Sequence, residues 1–365
     1  MKESELLAVM ALQRSTQIGD ILAKRLIKTC GSAEAIFRSK AKMLRTIDGI
    51  GQKLIADLFD SSNFRLAEQE LRFIKDHGID YCFFLGDDYP CRLKHCVDGP
   101  ILLFQKGHIK WSDQPVISIV GTRQITSRGR DFCEHLVASL APYNPIVVSG
   151  FAYGTDITAQ QAAVNNNLQT IGCLAHGFDQ IYPRPHKIYV ERIMEHGGFY
   201  TDFWSIDDFE RTNFLKRNRI IAGLSEVTIV IESAEKGGSL VTADIANSYD
   251  REVFAVPGRP EDIFSAGCNN LIKNHLAHML TQPEDVPYLL DWPTPGKKEQ
   301  QIKLFPELTS EEQRIYGFLG KHGKTELDSI ALELDLPTFK VASVLLSLEL
   351  KGIIRPLPGK AFESL

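Results

Sequence analysis

The stretch FLKRNRIIAGLSEVTIVIESAEKGGS, residues 214–239, combines a helical segment, an apolar run and a glycine turn. Its first half is a cationic segment of helical character, which holds Lys216, Arg217, Asn218 and Arg219. Its second half contains a continuous apolar run, residues 227–231, and this run predicts a strand buried on both faces. The strand leads into a glycine turn, residues 236–239, and then into a helical pattern. Glycines at such a turn expose backbone N–H groups to an anion, normally a phosphate.

Further apolar runs of the same kind alternate with helical segments, at residues 116–120, 146–148, 170–174 and 253–256. The helical segments begin near Ser127, Asp156, Pro185, Asn213 and Leu240. This alternation predicts an α/β domain with a doubly wound parallel sheet. Ligands of such sheets bind beyond the carboxyl ends of the strands, where the glycines of this region collect. The sequence therefore predicts a binding site at that edge.

Composition excludes several classes of protein. The chain has 365 residues, enough for two or three domains, with 44% hydrophobic and 24% charged residues, as in soluble globular proteins. A net charge of −5 excludes a uniformly basic coat but leaves room for a local basic groove. The seven scattered cysteines contain no C-x-x-C pair and support neither a zinc ribbon nor a disulfide framework. No signal-peptide or membrane-spanning run is evident, so we expect a cytoplasmic protein.

The predicted turns lack the signatures of common nucleotide sites. There is no G-x-x-x-x-G-K-[ST], and the first βα turn, GTRQITSRG, is not G-x-G-x-x-G. The turns and adjoining helices instead share cations: Arg123, Arg128, Lys187, Arg211, Lys216, Arg217, Arg219 and Lys236. Cations and glycine N–H groups over successive turns suit a chain of phosphates rather than one mononucleotide. Four aromatic residues are candidate stacking surfaces for unpaired bases, although each alone is more often a core residue: Phe151, Tyr153, Phe178 and Phe214.

Residues 1–75 predict a separate helical domain. Within it, Gly49-Ile50-Gly51 before a short helical pattern resembles the hairpin of the helix-hairpin-helix module, which binds phosphates through backbone N–H groups. A plain helical hairpin with a glycine turn explains the pattern equally well, and Asp48 and Asp57 count against phosphate binding. Residues 76–115 are interpreted as a connecting segment that packs on the next domain.

The carboxyl-terminal part predicts a linker, residues 291–307, and a winged-helix domain, residues 308–365. Three helical segments start near Thr309, Thr325 and Pro337, and a short hairpin follows at residues 353–359. The third helix carries few charges of the kind that contact base edges. We therefore favour a protein-contact or structural role for this domain.

Six motifs occur in one order along the chain: GTR at Gly121, SGFAYGTD at Ser149, GFDQIYPRPHK at Gly177, FLKRNRIIAGLS at Phe214, KGGSLVTADIA at Lys236 and VFAVPGR at Val253. Together they closely resemble the DprA/Smf family over residues 77–290. Three positions depart from the family's usual pattern: Thr155 for isoleucine, Gln160 for histidine and Leu215 for proline. If the histidine served any chemistry, that chemistry is in doubt here, whereas DNA binding is not.

The resemblance implies a bacterial DNA-processing protein of natural transformation. Such proteins bind single-stranded DNA in an extended Rossmann fold, here residues 76–290, form homodimers and load the RecA recombinase onto incoming DNA. It implies no catalytic role, cofactor or metal. Family contacts centre on the arginine of the first motif and on F-x-x-R-N-R, with a basic residue three positions ahead. The expected DNA-binding residues are Gly121, Thr122, Arg123, Gly150, Lys187, Arg211, Phe214, Lys216, Arg217, Asn218, Arg219, Lys236, Gly237, Gly238 and Ser239.

An enzyme is the alternative. The turn at residues 235–242 also resembles that of nucleotide-5′-monophosphate phosphoribohydrolases, the lysine-decarboxylase-like group. It lacks their proline and second glycine, and the following helix has no glutamate at the expected place. Three carboxylates are available for acid–base work but are more simply helix caps or turn residues: Asp156, Asp179 and Asp244.

A dimer interface is expected in CNNLIKNHLAHML, residues 268–280. Leu271, Ile272 and Leu276 recur there at helical spacing. Core packing within one subunit explains this spacing slightly better, and the family resemblance favours the interface.

Overall fold

A computed structural model describes residues 1–293, 308–357 and 360–364. The chain forms two compact units, one up to Pro295 and one from Gly296. Residues 294–307, most of the predicted linker, lie outside the described residues, as do the last turn of the predicted hairpin and the final residue. No helix in the described ranges is long and apolar enough to cross a membrane.

The amino-terminal region is helical, as predicted, with Ser32 and Asp60 capping the third and sixth helices through their side chains. One hydrophobic cluster extends from Leu6 in this region to Leu271 near the far edge of the sheet. The helices thus share a core with the α/β part, and a separate 1–75 domain stays a prediction. The helices are α1 Glu3–Arg14, α2 Asp20–Cys30, α3 Ala33–Arg38, α4 Ala41–Leu44, α5 Gln52–Leu58 and α6 Ser61–Asp76.

A nine-stranded sheet forms the centre of the first unit. Its strands are β1 Asp80–Phe83, β2 Leu102–Gly107, β3 Val116–Val120, β4 Ile146–Ser149, β5 Thr170–Cys173, β6 Gly197–Thr201, β7 Val227–Val230, β8 Glu252–Ala255 and β9 His278–Met279. Their order in the sheet is β1-β2-β6-β5-β4-β3-β7-β8-β9. From β6 along this order to β9, each strand is parallel to its neighbour. The predicted α/β fold with a doubly wound parallel sheet is confirmed.

Three parts of the sheet differ from the sequence interpretation. One is β9, which lies in the segment 268–280 that was expected to have helical spacing. Residues 76–115 are more than a connecting segment, because β2 pairs antiparallel with both β1 and β6 and extends the sheet. Strand β6 was not predicted. Its sequence, GGFYT, begins with two glycines, which are poor strand formers and hide the pattern.

Helices cover both faces of this sheet, and three hydrophobic clusters lie between the helices and the strands. They are α7 Cys91–Lys94, α8 Ser127–Leu140, α9 Thr155–Asn165, α10 Lys187–Glu195, α11 Arg211–Leu224, α12 Gly238–Ser248, α13 Ala266–Lys273 and α14 Asp285–Leu289. Short 3₁₀ turns occupy Ala141–Tyr143 and Arg184–His186. The helix starts agree with the predicted ones to within two residues. The helix predicted near Pro185 corresponds to the 3₁₀ turn Arg184–His186 and the helix α10 that follows it.

The second unit contains three helices and a small antiparallel sheet, as a winged helix requires. Its elements are α15 Ser310–His322, β10 Thr325–Glu326, α16 Leu327–Glu333, α17 Thr338–Leu350, β11 Ile354–Leu357 and β12 Ala361–Ser364. A reciprocal capping box of Thr309 and Glu312 begins α15. Helix α17 exposes Phe339 and Leu350 at 78% and 81%, so its outer face is apolar rather than basic.

Candidate nucleic-acid interface

The carboxyl ends of three neighbouring strands, β4, β3 and β7, border a cleft of about 220 Å³. The first turns of α9, α11 and α12 complete it. This is the edge at which the sequence places the site. Predicted DNA-binding residues make up much of the lining: Gly121, Thr122, Arg123, Phe214, Arg217, Asn218, Gly237, Gly238 and Ser239.

A cation stacked on an aromatic ring forms one side of the cleft. Arg123 is exposed in the loop after β3, and its guanidinium carbon lies 4.8 Å from the centroid of the Phe214 ring. The half-buried Phe214 also contacts Tyr182 and Phe209 edge-on, at centroid distances of 5.8 and 5.6 Å. Positive charge and an aromatic cluster therefore meet at the same place.

The amino terminus of α12 forms the other side. Gly237 is its N-cap, and Ser239 donates from Oγ to Ser233 Oγ at 2.8 Å, which fixes the turn. Asn218 reaches across from α11 and donates from Nδ2 to the Gly238 carbonyl at 3.3 Å. The N–H groups of a first helical turn have no intrahelical partner and carry the positive end of the helix dipole. The cleft is thus built for an anion.

Arg217 lies beneath the cleft rather than on its surface. Only 3% of it is exposed, and its Nη1 donates to the carbonyl of Gly150 at 2.7 Å and to that of Cys173. The buried Asp156 lies beside it. Burial raises the pKa of that carboxyl, and the positive charge of Arg217 opposes the rise. A Cβ on Gly150 would stand 2.6 Å from both Arg217 Nη2 and Asp156 Oδ2, so the arginine and carboxylate fill this space completely.

Arg219 faces away from the cleft, towards the amino-terminal helices. Its Nη2 lies 3.0 Å from Asp20 Oδ2 on α2 and 2.5 Å from Asp202 Oδ2 after β6. It also donates to the carbonyl of Asp98. Because its guanidinium is committed to these acceptors, Arg219 connects α11 to the helical region. Direct contact of Arg217 or Arg219 with DNA stays a prediction, and their burial favours an indirect role for both.

The other predicted cations are exposed but lie outside the cleft lining. Arg211 and Lys216 are on α11, Lys236 precedes α12, and Lys187 begins α10. Gly150 lies at the bottom of the cleft, where its carbonyl accepts a hydrogen bond from Arg217. Whether these side chains contact a bound strand stays a prediction.

Exposure separates the predicted stacking residues. Phe151 is 1% exposed, so its ring cannot receive a base, whereas Phe178 is half-buried against two hydrophobic clusters. Tyr153 is 40% exposed. Phe209, which the sequence interpretation missed, is 41% exposed and lies 4.6 Å from the half-buried Tyr182. Its position five residues ahead of Phe214 was the available signal.

The three departures from the family pattern lie in different environments. Gln160 is fully buried on α9, and Thr155 donates from Oγ1 to the Thr122 carbonyl at 3.3 Å. Leu215 is 49% exposed and reaches the cleft lining. None of these positions disturbs the contacts of Arg123 or of the α12 turn.

The predicted dimer residues divide by exposure. Leu271 is 6% exposed and belongs to the core of its own subunit. Ile272 is half-buried against that core, and Leu276 is 43% exposed. The predicted helical spacing does not extend to Leu276, because α13 ends at Lys273. Only Ile272 and Leu276 therefore remain available to a second subunit, and the dimer stays a prediction.

Comparison with known proteins identifies the family. Residues 80–291 match the sequence model of the family described as DNA recombination-mediator protein A, and residues 304–360 match the DprA winged helix domain. Protein Smf of Escherichia coli is 34% identical over 288 residues, 74% of each chain. DNA processing protein DprA of Bacillus subtilis is 36% identical over 58% of this chain and 71% of its own.

Solved structures agree. The crystal structure of DNA processing protein A from Streptococcus pneumoniae aligns with a TM-score of 0.65 and 26% identity, covering 79% of this chain and 98% of that one. The DNA processing protein A from Helicobacter pylori aligns with a TM-score of 0.52 and 29% identity, covering 58% of this chain and 95% of that one. Family models, sequence relatives and structures concur with the motif resemblance, and the chain belongs to the DprA/Smf family of DNA recombination-mediator proteins.

Proposed function

We propose that this chain is a DNA-processing protein that binds single-stranded DNA in the cleft between β3, α11 and α12. The observation that carries the proposal is the pairing of Arg123, stacked on Phe214, with the α12 amino terminus. One supplies charge and an aromatic surface, and the other supplies backbone N–H groups for phosphate. The relative from Helicobacter pylori is described by its single-stranded DNA binding mode, which supports this proposal.

The aromatic residues favour single strands over duplex. Phe214, Phe209 and Tyr153 offer ring surface near the cleft, and only unpaired bases can stack on such rings. The charge near the cleft comes from side chains and helix ends, which contact phosphates without reading sequence. We therefore expect binding with little sequence preference.

The family further suggests that the chain acts in natural transformation, protecting incoming DNA and loading RecA onto it as a homodimer. The exposed Leu276 and half-buried Ile272 support a second subunit at this end of the fold. Nucleation of RecA on strands already coated with single-strand-binding protein tests the loading step. We expect the wild type to shorten the lag of RecA assembly, and an unchanged lag would contradict it.

The phosphoribohydrolase alternative requires a carboxylate able to exchange protons with a substrate. Among the described residues that line the cleft, Asp156 is the only carboxylate, and it is 7% exposed beside Arg217. Such a group is enclosed and engaged with the scaffold, which favours binding over catalysis. Incubation with nucleoside monophosphates should release no base, whereas turnover that Asp156→Asn abolishes would favour the enzyme.

A competition experiment tests the binding proposal directly. Labelled oligo-dT bound to the protein should be displaced by unlabelled single strands at much lower concentration than by duplex of the same length. The Arg123→Ala variant should lose affinity for the single strand. Equal displacement by both competitors would contradict the proposal.

A further inference from the structure

The amino-terminal helical region carries a concentration of positive charge that the cleft does not use. Between residues 21 and 56 the chain has eight lysines and arginines against Glu34 and Asp48 alone, while the whole chain carries −5. This region contains the hairpin Gly49-Ile50-Gly51, whose sequence fits both a phosphate-binding helix-hairpin-helix module and a plain helical hairpin. None of these eight cations lines the single-strand cleft.

Ion pairing leaves five of these cations uncommitted. Arg38 pairs with Glu34 at 2.7 Å, Arg25 lies 3.6 Å from Asp48, and Lys24 donates to the Cys96 carbonyl at 2.9 Å. The remaining five are all exposed and have no ion-pair partner in the described ranges. They form what we call the basic surface: Lys28, Lys40, Lys42, Arg45 and Lys53.

Contacts between α2 and the hairpin hold together elements that carry these cations. Lys28 lies one turn beyond Arg25 on α2, and Arg25 Nη1 donates to the Asp48 carbonyl at 3.0 Å. That bond fastens α2 to the hairpin between α4 and α5. The buried Ile47 and Ile50 anchor the hairpin, and Lys42 on α4 and Lys53 on α5 are exposed beside it. The basic surface is thus a fixed feature of the fold.

The chemistry of the basic surface fits a duplex rather than a single strand. Phe37, the aromatic residue between positions 21 and 56, is half-buried and packs on Phe59 and Phe64 at 6.0 and 4.7 Å, and Phe59, directly after α5, is 41% exposed. Five exposed cations beside one partly exposed ring favour contacts to phosphates over stacking of unpaired bases. We propose that the basic surface binds the phosphate backbone of duplex DNA, independently of sequence.

Helix α2 connects the basic surface to the helix that borders the cleft. Its first residue, Asp20, pairs with Arg219 on α11, the helix that borders the cleft. Lys28 lies eight residues further along α2, about 12 Å away at 1.5 Å per residue. One molecule would therefore hold a single strand and an adjoining duplex together, at a junction between them.

The test compares charge-neutralised full-length proteins. The triple variant Lys40→Gln, Lys42→Gln and Arg45→Gln removes three charges of the basic surface. The control Arg72→Gln, Lys110→Gln and Arg130→Gln removes three exposed cations from α6, the β2–β3 loop and α8. Affinities for a blunt 20-base-pair duplex and for a short oligo-dT are measured against salt concentration.

The basic-surface variant should bind the duplex at least about tenfold more weakly, with the salt slope reduced by about three. Its affinity for the oligo-dT should match that of the control. Asp48→Asn should act in the opposite direction and strengthen duplex binding about twofold to threefold, because it removes the exposed carboxylate between the cations. Because the expected result is a gain of duplex affinity, a misfolded protein could not produce it.

Three outcomes would overturn the proposal. Equal duplex affinity in the basic-surface variant and the control would show only a bulk charge effect. An equal loss for duplex and oligo-dT would assign the surface to the single-strand path. Unchanged or weaker duplex binding by Asp48→Asn would remove the hairpin from the contact. Each result is separable from the single-strand proposal, which the oligo-dT measurement monitors in every variant.

Discussion

Replacement of Arg219 by alanine tests whether the two arginines after Phe214 are DNA ligands or parts of the scaffold. The guanidinium holds Asp20 at 3.0 Å and Asp202 at 2.5 Å, and 15% of the side chain is exposed. Its loss leaves two carboxylates facing each other in a largely buried space. Burial already raises the pKa of Asp20, and Arg219 is the main influence that lowers it.

The magnitude follows from the geometry. Removing one partner of a buried ion pair costs about 3–5 kcal/mol, because the remaining charge is left without compensation. The stability of the variant should fall further as the pH rises from about 4, the ordinary pKa of an aspartate, to the raised pKa of Asp20 in the folded state. The folded state binds the extra proton in that window, so stability falls as the proton is lost.

Urea unfolding measures the stability, and oligo-dT binding against salt measures the phosphate contacts. Arg219→Ala should lose about 3–5 kcal/mol of unfolding free energy, while the salt slope of the folded fraction stays as in the wild type. Lys216→Ala, exposed on the same helix, is the matched control and should keep its stability. A stable Arg219→Ala protein whose salt slope falls by about 0.7 would refute the scaffold role and make Arg219 a phosphate ligand.

Three further predictions concern other parts of the chain. Gly150→Ala should destabilise the protein by about 1–3 kcal/mol and weaken oligo-dT binding, because its Cβ would displace Arg217; unchanged urea midpoints would contradict this packing. Hydrogen bonds from Lys351 and Ser347 lower the pKa of Glu312 to about 2. The stability that this carboxylate contributes is therefore present above its ordinary pKa near 4.5 and is lost as the pH falls towards 2. A carboxyl resonance of Glu312 that titrates near 4.5 in NMR would disprove these hydrogen bonds. Leu276→Glu should give a folded monomer by light scattering, and an intact dimer would place the interface elsewhere.

Much of the α/β architecture was predictable because the parallel strands are buried on both faces. The runs at Val116–Val120 and Val227–Val230 are buried at every position and apolar except for Ser118 and Thr228. Their order along the chain fixes the alternation with helices. Strand β2 was harder to recognise, because it is antiparallel and its apolar half grades into Gln105 and Lys106. Pairing between distant segments, rather than local pattern, makes it a strand.

The candidate site was predictable in position but not in the role of each charge. Lys216, Arg217 and Arg219 are close in sequence, yet α11 turns them towards solvent, the cleft floor and the amino-terminal helices respectively. The partners that decide these roles lie far away in the chain, at Gly150 and Asp20. A local cluster of cations therefore indicated nucleic-acid binding without showing which charges remain free to bind.

The affinity of Arg123→Ala for oligo-dT, measured across a range of salt concentrations beside the wild type, tests the single-strand cleft most directly. Arg123 is exposed, stacks on Phe214 and can be removed without disturbing a buried bond. The variant should bind about 1–3 kcal/mol more weakly, with the salt slope reduced by about 0.7, because one charge-assisted phosphate contact is lost. A folded variant with the wild-type affinity and slope would contradict the assignment of this cleft to single-stranded DNA.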